Sequence, residues 1–214
     1  MQPPLLEVVL ELNYDPIDLP EERINYFYRA NSDILPSTHE KDKPAVACFG
    51  SLDDNESLIL CNDQLELRSR RGVSFPRLRS QWGKILASFF DIFGVPRLTE
   101  ISLAYQNEIP LEDLHSFRNY LNVSFEMPAV LKERVEFFRS EFTYKSSFGQ
   151  IKVWVQPDWD DEMESYCIQL NLESINRDAI KPADILMKIY ELHEGIKDVF
   201  RQVLAQDYIR QLPQ

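Results

Sequence analysis

Residues 45–70 read AVACFGSLDDNESLILCNDQLELRSR, three short apolar runs cut by Asp53-Asp54-Asn55 and by Asn62-Asp63. Aspartate and asparagine bond their own backbone and favour tight turns, so the runs 45–51, 57–61 and 64–70 are predicted to be consecutive strands. Connections this short join antiparallel neighbours, because a parallel pair needs a crossover of a dozen residues or more. In the last run Leu65 and Leu67 alternate with Glu66 and Arg68. That period of two gives a strand one apolar and one wet face.

The same alternation opens the chain, where Leu6, Val8, Leu10 and Leu12 are interleaved with Glu7, Glu11 and Asn13. Between these strands, Asp18-Leu19-Pro20-Glu21 offers an N-cap, an early proline and a capping acid, and Ile24, Phe27 and Tyr28 share a face; a helix to about Asn31 is expected. The polar stretch 32–43 is read as a loop. Ser74 or Phe75 with Pro76 opens a second helix, whose Leu78, Trp82, Ile85, Leu86, Phe89, Phe90 and Phe93 form one stripe and which Gly94 and Pro96 close.

From Leu98 the order repeats. A strand to Ile109, a short helix opened by Pro110 with Leu114, Phe117 and Leu121 on one face, strands near 134–144, 150–155 and 166–172, and a long helix from about Pro182 are expected. The acidic run 158–164 falls in a connection. The chain is therefore predicted to be a single α+β domain over 1–214, with a large, mostly antiparallel sheet, helices on one face, and pseudo-duplicated β-α-β-β-β-α halves at 1–96 and 97–214. This layout resembles the saddle-like arrangement of TATA-box-binding proteins, which implies architecture and no function.

The 214 residues are 44% hydrophobic, with 13 Phe and 9 Tyr, enough to bury a full core. No apolar run approaches the roughly 18 residues of a membrane helix, and the opening residues carry no basic, cleavable leader, so a cytoplasmic protein with no membrane association is expected. Cys48, Cys61 and Cys167 are an odd, scattered set, read as buried thiols and not as a disulfide frame or zinc site. The formal charge of −12 repels phosphate and favours a basic protein partner over nucleic acid.

No catalytic, cofactor or metal site is indicated. None of the six glycines makes a phosphate loop, and His39, His115 and His193 stand outside zinc-ligand and hydrolase motifs. The acidic run 158–164 lacks the ligand spacing of a calcium loop. Arg68, Arg70, Arg71, Arg77, Arg79 and Lys84 form the one basic stretch, the basis of an alternative nucleic-acid reading.

Alternation also assigns a non-core sheet face holding Glu7, Glu11, Arg68, Arg70, Gln106, Lys152, Trp154, Gln169 and Asn171. Six of these, Glu7, Glu11, Arg68, Arg70, Lys152 and Trp154, are the candidate partner-binding face, for a foreign protein or for a homodimer anchored by Trp154. A further alternative is a small-molecule pocket, sensor or enzyme, between sheet and helices, using Glu7, Tyr105, Asn107 or His193.

Four patterns occur in order along the chain. They are Pro3-Pro4-Leu5-Leu6-Glu7-Val8-Val9, Phe75-Pro76-Arg77, Tyr105-Gln106-Asn107-Glu108-Ile109, and Leu192-His193-Glu194 with Phe200. Together they resemble a sporadically distributed prokaryotic family of conserved hypothetical proteins with a PPLxEVV opening strand, a YxNxI strand and an LHExIxxxF terminal helix. The resemblance marks Tyr105, Asn107, His193 and Glu194 as motif residues without assigning them a role. It also implies an association with mobile defence or toxin-linked loci, hence an antitoxin-like, immunity or accessory role. Where the family carries an arginine beside the YxNxI core this chain has Ala104 and Glu108, so no anion-binding role carries over. Read physically, Asn107 just before Pro110 is expected to close a turn.

Overall fold

The computed structural model describes residues 5–38, 45–53, 55–70, 74–111, 119–122, 139–146, 149–160 and 165–210. Their nine strands are β1 Leu5–Tyr14, β2 Ser37–Thr38, β3 Ala47–Gly50, β4 Glu56–Leu60, β5 Gln64–Arg70, β6 Leu98–Pro110, β7 Ser140–Ser146, β8 Gly149–Asp160 and β9 Ser165–Asn176. The helices are α1 Glu21–Ala30, α2 Phe75–Phe93, α3 Ile185–Val203 and the short α4 Gln206–Ile209. The fold is α+β, and all strands join one antiparallel sheet in the order β2-β3-β4-β5-β1-β6-β9-β8-β7. Outward from the central β1·β6 pair the order is β5, β4, β3 on one side and β9, β8, β7 on the other.

Alternation decides which side the helices cover. Val8, Leu10 and Leu12 of β1 are buried; they stand opposite Ser69, Leu67 and Leu65 of β5 and Tyr105, Leu103 and Ile101 of β6. Onto this face α2 lays Leu78, Trp82, Ile85, Leu86 and Phe89, and α3 lays Ile185, Ile189, Leu192, Ile196, Val199 and Val203. These residues and the strand interiors form one hydrophobic cluster that runs through both halves of the chain. Each such side chain contributes on the order of 1.5–3 kcal/mol by leaving water, and that burial holds the two layers together.

Two glycines are required by geometry. Gly94 ends α2 at φ 86, and Gly149 opens β8 at φ 136, where a Cβ would lie 2.4 Å from the Ile175 carbonyl oxygen. The left-handed region is open to glycine at little cost.

Several elements differ from the sequence reading. Helix α1 starts at Glu21 with Pro20 as its cap, so Asp18 caps nothing; proline bars the preceding Leu19 from helical backbone, which sets the start. The stretch read as a loop over 32–43 holds β2, paired with β3 and tied by the Ser37 hydroxyl donating to the Gly50 carbonyl at 2.8 Å. Pro182–Asp184 forms a 3-10 turn before α3 begins at Ile185. Strand β8 runs on through Pro157 to Asp160, into the acidic run, and β9 extends to Asn176. Strand β7 continues to Ser146, and the part expected over 134–138 lies outside the described residues, as do Leu114 and Phe117 of the helix expected after Pro110. Cys48 is only half-buried, whereas Cys61 and Cys167 are buried, and all three are free thiols.

Candidate functional site

The face away from α2 and α3 collects all six residues of the candidate partner-binding face. Pairing across six strands aligns Arg70, Glu7, Gln106, Asn171, Trp154 and Glu141 in one row. The adjacent row is Arg68, Val9, Ala104, Glu173, Lys152 and Thr143. Five of the six predicted face residues therefore occupy two neighbouring rows, and Glu11 lies in the next, opposite Glu66 and Ser102. Gln169 shares this face in the row on the other side of the Glu7 row from Glu11, beside Glu108. At about 4.8 Å per strand, Glu7 on β1 and Trp154 on β8 stand roughly 14 Å apart.

Three cations of this face, Arg68, Arg70 and Lys152, are already matched. Glu7 lies between two guanidinium groups, 3.9 Å from Arg68 and 3.7 Å from Arg70, and Arg68 also bonds Glu66. Lys152 pairs with Glu173 at 3.6 Å and sits 5.8 Å from the centre of the Trp154 ring. Glu11 and Glu108 have no cation within ion-pair distance among the described residues; Glu11 accepts from Asn13 and Glu108 from Gln169. The face thus presents net negative charge around a half-buried tryptophan. At its β4–β5 end lies an open concavity of about 470 Å³, where Cys48, Asn55, Ser57 and Ile59 join Glu7, Arg68 and Arg70. Sequence reasoning missed the first four, although Cys48 and Ile59 do alternate with buried neighbours.

The basic stretch is not one patch. Arg68 and Arg70 belong to the open sheet face, whereas Arg77 and Lys84 are exposed on α2 in the other layer, where Arg79 covers the Tyr190 ring at 5.5 Å. Arg71 lies outside the described residues, as do His39 and His115.

The motif residues meet elsewhere, on the covered face. The Tyr105 hydroxyl of β6 bonds His193 Nδ1 of α3, and Phe75, the first residue of α2, stacks on the imidazole with ring centres 3.6 Å apart. Residues from three elements so form a clasp between the sheet and both long helices. Burial pushes the Tyr105 phenol above its ordinary value and the His193 imidazole down to about 4, with Lys197 adding to the downward shift. Both groups are therefore neutral, and the Glu194 carboxylate 3.8 Å from Nε2 favours the tautomer that carries the ring proton there, with the Tyr105 hydroxyl donating to Nδ1. Both shifts run against proton transfer near neutral pH, since the phenol holds its proton and the imidazole declines one. Glu194 is turned outward to Lys197 at 2.8 Å, which holds its carboxyl below the usual range.

Asn107 closes no turn. It is buried inside β6 and its amide donates to the Leu170 carbonyl of β9 at 2.9 Å. Glu7 lies on the opposite face from Tyr105, Asn107 and His193, so these four do not line one pocket. Among the described residues no group of three or more His, Cys, Asp or Glu could hold a metal ion, and no helix is long and apolar enough to cross a membrane. No family model matches the chain, and no curated protein matches it.

Proposed function

We propose that this chain is a non-enzymatic cytoplasmic binding protein that holds a basic protein segment on its open sheet face. The observation that carries this reading is the pair of adjacent rows that gathers Glu7, Arg68, Arg70, Lys152 and Trp154 on the side away from α2 and α3. Glu11 and Glu108, with no cation in ion-pair distance among the described residues, supply the complement for lysine or arginine, and Trp154 supplies the apolar anchor that interface centres favour. Internal pairing of Arg68 and Arg70 with Glu7 and Glu66 disfavours phosphate as the ligand. The antitoxin-like or defence-accessory role implied by the family resemblance fits such a holding function.

The test places a photo-crosslinking amino acid at Gln106, in the middle of the row that holds Glu7 and Trp154, in the native host. The expected product is one dominant crosslinked protein whose contact peptide is rich in Lys or Arg. Crosslinking should fall at least tenfold in Glu11→Lys/Glu108→Lys and in Trp154→Ala, and should be unchanged in Lys188→Glu on the helical side. Equal capture by all of these chains, or a nucleic-acid adduct, would sink the reading.

A further inference from the structure

Strand β7 forms one end of the sheet, and among the described residues no element pairs with its outer edge. The other end is β2, only two residues long, so β7 with seven is the edge at which a further strand can be added. An open edge leaves a row of backbone N–H and C=O groups facing outward, and proteins normally blunt or use such edges. The sequence of this edge, Ser140-Glu141-Phe142-Thr143-Tyr144-Lys145-Ser146, is self-complementary when reversed about Thr143.

We propose that the chain forms a homodimer by antiparallel pairing of two β7 strands across a two-fold axis at Thr143. In that register Glu141 faces the partner's Lys145, and Phe142 faces the partner's Tyr144. The pleat keeps each pairing on its proper side. Glu141 and Thr143 stand opposite Trp154 and Lys152 on the open face, whereas Phe142 and Tyr144 stand opposite Val153 and Ile151 on the helix-covered face. An axis perpendicular to the sheet preserves these sides, so charge meets charge on one face and ring meets ring on the other. A slip of one residue would set Glu141 against the partner's Tyr144 and break the match of faces.

The free chain leaves these groups underused. Tyr144 is 41% exposed although its ring already makes an edge contact with Phe142 at 5.5 Å. Lys145 is exposed, with no carboxylate in ion-pair distance among the described residues. Among the described residues Glu141 pairs with Arg139, at 3.6 Å and half in water, a contact of little worth. The dimer also carries the open face across the axis, because the Lys152–Thr143 row continues into the same row of the second copy. It does not rest on the proposed partner, and it uses the sheet edge where the sequence suggested a Trp154 face contact.

Light scattering across a concentration series tests the proposal with a charge swap. The wild-type chain should reach twice its 25.2 kDa mass. Glu141→Lys and Lys145→Glu should each weaken dimerisation at least tenfold, because each sets like charges opposite one another at both ends of the contact. An equimolar mixture of the two single variants should recover the dimer, since the heterodimer restores both opposite pairs, and this recovery also shows that each variant folds. The double variant Glu141→Lys/Lys145→Glu should dimerise like wild type. A wild-type chain that stays at 25.2 kDa at the highest concentration overturns the proposal. So do single variants that dimerise as well as wild type, which would move the contact away from this edge.

Discussion

Lowering the pH from 7 to 4 should cost this protein about 3 kcal/mol through His193 alone. Its imidazole titrates at about 4 in the folded chain, held down first by burial under Phe75 and between sheet and helix, and second by Lys197. In the unfolded chain the same group titrates near its ordinary value of about 6.5. Between those two values the unfolded state binds the proton and the folded state does not, so stability is complete above about pH 6.5 and drains away as the pH falls toward 4. At ~1.36 kcal/mol per pH unit the gap gives about 3 kcal/mol, a large share of the roughly 5–15 kcal/mol that holds a typical domain. His193→Gln keeps an acceptor for the Tyr105 hydroxyl but cannot take up the proton. Urea melts at pH 7 and pH 4.5 should show the wild type losing about 2–3 kcal/mol more than this variant. Glu194 is held low chiefly by its bond to Lys197, a partner present in both chains. An imidazole resonance of His193 that titrates near 6.5 in the folded protein, or equal losses in the two chains, would refute the reasoning.

Two further substitutions test the packing that positions both faces. Phe89→Ala should destabilise by about 3–5 kcal/mol in urea or thermal melts, because Phe89 is 1% exposed and touches the rings of Tyr14, Phe27, Phe90 and Phe93; a loss under about 1 kcal/mol would mean the cluster is not close-packed. Gly149→Ala forces a side chain into φ 136 against the Ile175 carbonyl. It should cost about 2 kcal/mol or more and speed amide exchange at the Gln150–Ile175 end of β8 and β9, while normal exchange there would remove the argument for glycine.

What was legible in the sequence follows from periodicity. Leu10 and Glu11 declare their faces by alternation alone, so the open-face set could be named before any pairing was known. The α2 stripe with Gly94 behind it marks a helix at both ends. Pairing partners were not legible. Nothing local says that β1 lies between β5 and β6, yet that pairing is what aligns Glu7 with Trp154 across four strands. The Tyr105–His193 bond spans 88 residues and has no local signal either. The strand expected over 150–155 runs on through Pro157, a residue that sheet interiors normally exclude. Strand β7 pairs β8 only as far as Val155, so beyond that point β8 has a partner on one side among the described residues, and a missing N–H on the other side breaks no ladder.

The pairing on the open face also governs how a basic partner would bind there. Partly exposed ion pairs of 3.6–3.9 Å, such as Lys152–Glu173 and Arg68–Glu7, contribute roughly 0–1 kcal/mol each, so exchanging them for contacts to a partner costs little. Neither do they hold a partner tightly. Retention should then come from burying Trp154, and speed of encounter from Glu11 and Glu108, carboxylates with no cation partner among the described residues. These two contributions separate kinetically. Raising the salt from about 0.05 to 0.5 M shortens the screening length from roughly 14 to 4 Å, so the association rate with a lysine-rich ligand should fall about tenfold or more while dissociation barely changes. Trp154→Ala should do the reverse, leaving association nearly unaltered and speeding dissociation. Surface plasmon resonance at two salt concentrations resolves both rates, and a salt effect confined to dissociation would show that the carboxylates form the anchor and that the tryptophan does not.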